Sequence, residues 1–262
     1  MAQRGARAPS TETQIKLFAS EVAVLGRCDH PNVVRLLAAC LTPPRLCLVM
    51  ERCETSLERV MYRRGEAGGS GAGPSVASPQ RGMRMPLPKL LHIAIQICQG
   101  LEYLHPTIVH RDLKPANVLI NGADTDRPVA KLADFGLSRI RATTAPTLSP
   151  EAGTPCYMAP ECFDVLNNII THRADMYSLG VLLWAMLTGE RPWEGLNVFT
   201  MAVKVTMRGE RLPLEGLSER RCPPKLRRLI RQCWEADPRR RPAAAEAAKT
   251  LMLIQQQLKV GH

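Results

Sequence analysis

The sequence predicts an α+β fold in two unequal parts, a small antiparallel part followed by a larger, mainly helical one. Three observations predict it. Residues 33–41 and 46–50 are rich in aliphatic and β-branched side chains and flank a Thr42-Pro43-Pro44 turn, the pattern of an antiparallel strand pair. Residues 87–104 and 175–187 are strongly apolar runs of helical length. Between these runs, residues 108–136 read IVHRDLKPANVLINGADTDRPVAKLADFG and gather carboxylate, amide and ammonium groups on short loops beside two short apolar stretches.

The totals support a folded chain. At 262 residues with 45% hydrophobic content it can build a sizeable core. The formal net charge is +11. Many basic residues lie between Lys204 and Arg241, where Arg220, Arg221, Lys225, Arg227, Arg228 and Arg231 surround a predicted helix. They lack interleaved aromatics, so they read as a solvated face, which argues against nucleic acid as a primary partner. The nine cysteines are scattered, without C-x-x-C spacing, and read as reduced intracellular thiols. No apolar run reaches membrane-spanning length, and residues 1–10 lack the apolar core of a secretory signal. An intracellular, cytoplasmic location is expected.

Taken in order, residues 11–27 place Ile15, Leu17, Phe18, Val22, Val24 and Leu25 near helical spacing, with Thr11 as a cap. That helix should end at Asp29-His30-Pro31-Asn32, because proline disfavours helical geometry in the residue before it. The strand pair comes next, then a short helix near residues 56–63. Residues 65–86 contain Gly-Gly-Ser-Gly-Ala-Gly followed by proline, serine and arginine, a composition expected to form a flexible insertion. The helix of residues 87–104 delivers the chain to the polar loop. Residues 118–121 read as a strand after it, and residues 129–133 are a second short apolar run. Residues 176–187 form the longest apolar run, and Pro242 should begin a last alanine-rich helix.

The polar loop carries the chemistry. Phosphoryl transfer needs hard oxygen ligands for Mg²⁺ and a carboxylate that orients the attacking hydroxyl and takes its proton. Asp112 fits the base, and Asn117 and Asp134 fit the metal ligands.

These residues stand in motifs that resemble those of the eukaryotic protein kinases. His110-Arg111-Asp112-Leu113-Lys114-Pro115-Ala116-Asn117 matches the catalytic loop, Asp134-Phe135-Gly136 the metal-binding motif, and Ala159-Pro160-Glu161 the end of the activation segment. The resemblance runs from about residue 11 to about residue 258. It implies a protein-kinase-like bilobal fold, with residues 1–54 as a partial small lobe and residues 55–262 as the large lobe. It also implies ATP and Mg²⁺ as cofactors and a protein serine or threonine hydroxyl as substrate.

By the same resemblance Met50 is the gatekeeper behind adenine. Glu51, Arg52 and Cys53 form the hinge, and Leu119 is the floor under the base. Lys114 contacts the transferring phosphate, and Thr154 braces Asp112. Glu21 is the helix glutamate that pairs with a strand lysine, or else an exposed helix residue. Leu25, Leu36, His110 and Phe135 match the stacked residues connecting the lobes, and each also reads as an ordinary core residue. Residues 175–187 should be the central buried helix of the large lobe, with Asp175 anchoring the catalytic-loop backbone, and Arg241 should pair with Glu161. Thr143, Thr144, Thr147 and Ser149 are candidate phosphosites whose phosphate could pair with Arg111. Cys53 reads as a reactive hinge thiol or a buried inert one.

Lys114 and Gly153-Thr154-Pro155 resemble the serine/threonine class, whereas Trp184, Pro192-Trp193 and Cys233-Trp234 resemble tyrosine kinases. That mixture characterises the tyrosine-kinase-like group. The departure lies ahead of Glu21, where there is no glycine-rich loop and the only lysine, Lys16, shares the predicted helix with Glu21. An ammonium about 4 Å from a phosphate is worth roughly 4 kcal/mol at an effective dielectric of 20. Two expectations follow. One is a serine/threonine kinase domain in a fragment or truncated form, and the other is a catalytically impaired, pseudokinase-like binding scaffold.

Overall fold

The computed structural model describes residues 19, 22–23, 25–42, 45–62, 84–105, 107–134, 154–164 and 170–260. The expected helix around Glu21 falls mostly outside them, as does the glycine-rich stretch. Its described end closes with Gly26 N donating to Val22 O and Cys28 N to Leu25 O.

Two small sheets lie on either side of residue 54. The first pairs β1 (Leu36–Cys40) with β2 (Cys47–Met50) antiparallel, with an irregularity between Leu36 and Ala38. The second is antiparallel in the order β3-β4-β5, from Thr55–Ser56, Val118–Asn121 and Val129–Leu132. The segment at Asn32 to Val34 closes the free edge of β5. Leu132 N donates to Asn32 O and Val34 N to Leu132 O, both at 2.9 Å, in a parallel bridge. Asn32 is buried, and its amide donates to Gln96 Oε1 and Ala130 O, which fixes this junction.

Helices supply the larger part. α1 spans Leu57–Tyr62 and α2 Leu87–Leu104. α2 starts at a proline, whose missing N–H is not needed there. It packs on β5 and on the last helix, burying Leu90, Leu91, Ile93, Ala94, Ile97, Cys98 and Leu101. α3 (Arg173–Thr188) is buried on every face, as a helix that is apolar all round must be. It ends at Gly189, whose φ of 73° is the left-handed cap that glycine adopts without strain. α4 (Val198–Ala202) follows, with the Asn197 side chain accepting from Thr200 N. α5 (Pro224–Cys233) lies against α3, and α6 (Ala244–Val260) against α2. Together these elements enclose the α+β core that the sequence predicts.

Three expectations need correction. The last helix begins at Ala244, because Glu246 Oε2 accepts the N–H of Ala243 and makes that residue the cap, leaving Pro242 ahead of it. Met85, at the end of the expected flexible insertion, is 5% exposed and belongs to the core. The basic stretch is not uniformly solvated. The guanidinium of Arg221 donates to Leu187 O, Met186 O and Met85 O, and that of Arg227 donates to Leu214 O and Leu217 O. Arg221 thereby satisfies carbonyls that the end of α3 leaves open.

Candidate active site

The polar loop leaves the end of α2 and is held from below by α3. Asp175 is buried in the first turn of α3, where its Oδ2 accepts the N–H of His110 and its Oδ1 the N–H of Arg111, both at 2.8 Å. Arg111 has φ 67°, a left-handed conformation that a non-glycine residue adopts only at a cost of about 1–3 kcal/mol. The carboxylate of Asp175 grips both amides next to that strained link. His105 Nε2 lies 3.2 Å from Asp175 Oδ2, a partner that the sequence reading missed. His110 is fully buried, and burial lowers its pKa from the ordinary value, so its ring is neutral.

Asp112 follows directly. Its Oδ2 accepts from Asn117 Nδ2 at 2.9 Å and sits 2.9 Å from Lys114 Nζ. Asn117 Nδ2 also donates to the Asp112 carbonyl at 2.8 Å, and the short turn Pro115–Asn117 supplies the curvature that folds the amide back. With its nitrogen committed to Asp112, the amide offers its oxygen to a cation.

Asp134 arrives at the end of β5. Ala133 N donates to Asn117 O at 2.9 Å, so the residue before Asp134 is bonded to the loop that carries Asn117. Asp134 itself is left-handed, with φ 57°, a conformation that aspartate tolerates better than most residues. Among the described residues no group of three or more histidine, cysteine, aspartate or glutamate side chains could hold a metal alone. One amide oxygen with carboxylates is nevertheless a donor set suited to Mg²⁺, which binds one or two carboxylates, keeps several waters and shares substrate phosphates.

The expected hinge lies where β2 ends. Met50 is 39% exposed there. Glu51 N donates to Arg35 O, and Glu51 Oε1 accepts from Arg35 N and from Lys131 Nζ, the last two at 2.8 Å. Burial would raise the Glu51 pKa, but Lys131 and the Arg35 amide together hold it below the ordinary value. Lys131 is the ladder partner of Leu119, so this ion pair brings the hinge glutamate to the strand pair carrying the expected adenine floor. The hinge expectation gave the Glu51 side chain no partner, and no local signal marks Lys131 as one. Cys53 is half-buried, with Asn121 Nδ2 at 3.9 Å from its sulfur. Burial first, and the Glu51 charge next, raise its thiol pKa, which makes it a poor nucleophile at neutral pH.

Below the site, Arg241 is buried and clasps Glu161 through two bonds, Nη1 to Oε1 at 2.6 Å and Nη2 to Oε2 at 2.8 Å. Its Nη1 also donates to Arg173 O and its Nε to Glu235 O. The structure thus brings together Asp112, Lys114 and Asn117 by direct contact, and Asp134 follows Ala133, whose N–H is bonded to Asn117 O. Glu21, Phe135, Thr143, Thr144, Thr147, Ser149 and the side chain of Thr154 lie outside the described residues.

Comparisons with known proteins bear on the family of the chain. Mouse mitogen-activated protein kinase kinase kinase 10 is 37% identical over 90% of this chain and 23% of its own length. Serine/threonine-protein kinase STY46 of Arabidopsis thaliana is 36% identical over 91% of the chain and 37% of its own length. Serine/threonine/tyrosine-protein kinase HT1 of the same plant is 33% identical over 95% of the chain and 58% of its own length. The chain therefore spans between about a quarter and three fifths of these relatives. Residues 5–251 match the protein tyrosine and serine/threonine kinase family, and the chain belongs to that family.

Proposed function

We propose that this chain is the kinase domain of a serine/threonine kinase of the tyrosine-kinase-like group, transferring the γ-phosphoryl group of ATP to a protein serine or threonine hydroxyl. Its lobes meet at residues 54 and 55. The observation that carries the reading is the Asp112 carboxylate, held by Asn117 and Lys114 on a backbone braced by Asp175. Both contacts fall on Oδ2, and Oδ1 is the oxygen assigned to the proton of the attacking hydroxyl. Asn117, through its amide oxygen, and Asp134 are the ligands for Mg²⁺. When bound, Mg²⁺ and ATP supply a charge-neutralised phosphoryl group ready for in-line displacement. Lys114 serves the transferring phosphate with its ammonium. Met50, Glu51 and Cys53 border the adenine, and Leu119 lies under it. Thr143, Thr144, Thr147 and Ser149 are the regulatory phosphosites of this reading.

The test is phosphotransfer from γ-labelled ATP to a serine- and threonine-bearing protein. Asp112→Asn should lower the rate by about 10²–10⁴-fold, the usual worth of a positioned base. Asp134→Ala should abolish metal-dependent ATP binding. A wild-type chain that neither transfers phosphate nor loses ATP binding on Asp134→Ala would overturn the catalytic reading in favour of a binding scaffold.

A further inference from the structure

Cys40 and Cys47 face each other directly across the β1–β2 ladder, at the end nearest the connecting turn, and both are exposed. Opposed residues of an antiparallel pair put their side chains on one face, with Cα atoms about 4.5 or 5.5 Å apart depending on whether the pair exchanges hydrogen bonds. A disulfide requires Cα atoms roughly 4.4–6.8 Å apart, so either kind of pair meets the requirement. The other cysteines differ. Cys28, Cys98, Cys222 and Cys233 are buried. Cys53, Cys156 and Cys162 are half-buried, and burial raises their thiol pKa values, that of Cys162 to about 12.

We propose that Cys40 and Cys47 are a reversible dithiol pair that hydrogen peroxide closes into an intramolecular disulfide. One thiolate attacks a peroxide oxygen and the O–O bond breaks. That sulfur becomes a sulfenic acid, and the departing hydroxide takes a proton to leave as water. The second thiolate then attacks the sulfenic sulfur, the S–O bond breaks, and a second water leaves. The two sulfurs together give up two electrons, and the peroxide takes both.

The ladder holds the resolving thiol opposite the attacked one, so the sulfenic acid is trapped before it can oxidise further. An exposed disulfide is open to exchange, and a small dithiol reductant returns both thiols. Closure ties β1 to β2 across their turn. Glu51 follows β2 directly, four residues after Cys47, so the staple stiffens the strand that feeds the expected hinge.

Trypsin provides the test, because Arg45 separates the two cysteines. Cleavage after Arg35, Arg45 and Arg52 yields residues 36–45 and 46–52, each with one thiol. The native chain is treated with hydrogen peroxide, alkylated and digested without reduction. The two peptides should appear joined, lighter than their sum by two hydrogens, and should separate on dithiothreitol treatment. The treated chain should remain the size of one chain under denaturing, non-reducing conditions. Cys40→Ser should abolish the joined species and leave the 46–52 peptide unlinked. Recovery of both peptides unlinked, or joined to another cysteine or to a second chain, would overturn the proposal.

Discussion

Glu161 and Arg241 show how one side chain can depend on another far along the sequence. The guanidinium of Arg241 is fully buried, so removing its partner strands a charge away from water. Breaking a buried pair from one side costs about 3–5 kcal/mol. Glu161→Ala should therefore lose about that much unfolding free energy in urea, whereas Glu161→Gln, which keeps an oxygen acceptor, should lose less. An alanine variant as stable as the wild type would mean that the backbone carbonyls around Arg241 suffice. This pair was legible beforehand only through the kinase resemblance, as was the grip of Asp175 on the amides of His110 and Arg111. Glu51 with Lys131 and Asn32 with Gln96 were not legible. Their partners lie 80 and 64 residues away, and nothing local in the sequence marks a side chain that will meet another only after folding.

At the scale of elements, the sequence was most readable where one periodicity runs unbroken. The helix expected over residues 87–104 forms over that span, and the strand expected over residues 118–121 does too. Boundaries moved where a side chain intervened, as Glu246 does at the start of α6. The contact between α3 and α5 depends on the missing side chain of Gly180. A Cβ there would meet the Trp234 indole nitrogen at 2.6 Å and Cys233 Cβ at 2.8 Å. Gly180→Ala should cost about 1–3 kcal/mol, the usual penalty for overpacking, despite the better helix propensity of alanine. Equal or greater stability on thermal melting would show that the two helices can part at little cost. The resemblance placed a buried helix here without showing what its glycine faces.

Across the whole molecule, acid should weaken the fold in two stages. His30, His110 and His172 all have pKa values lowered from 6.5, in each case chiefly by burial. The unfolded chain therefore binds more protons than the folded chain below that value, and stability falls as pH drops through and beneath it. Glu51, held below 4.5 mainly by Lys131 and the Arg35 amide against burial, adds stability that is lost at still lower pH. Urea unfolding at about pH 7 and about pH 5.5 should give a smaller free energy at the lower value, and His110→Phe should reduce the difference. A flat profile across that interval would show that the buried rings take up protons without cost. Whole-molecule behaviour of this kind could not be read from six scattered histidines, because only the packed structure shows which of them lose water.

β5 is gripped on both edges, by β4 on one side and by the Asn32 to Val34 segment on the other. Its last residue stands two positions before Asp134. Tilting the amino-terminal part of the chain therefore pulls on the strand that carries the expected metal ligand, in the manner of a lever bolted to its load. The amide protons of Leu132 and Val34 report on that linkage. If they exchange with solvent together, the two parts of the molecule open as one cooperative unit and not as independently swinging lobes.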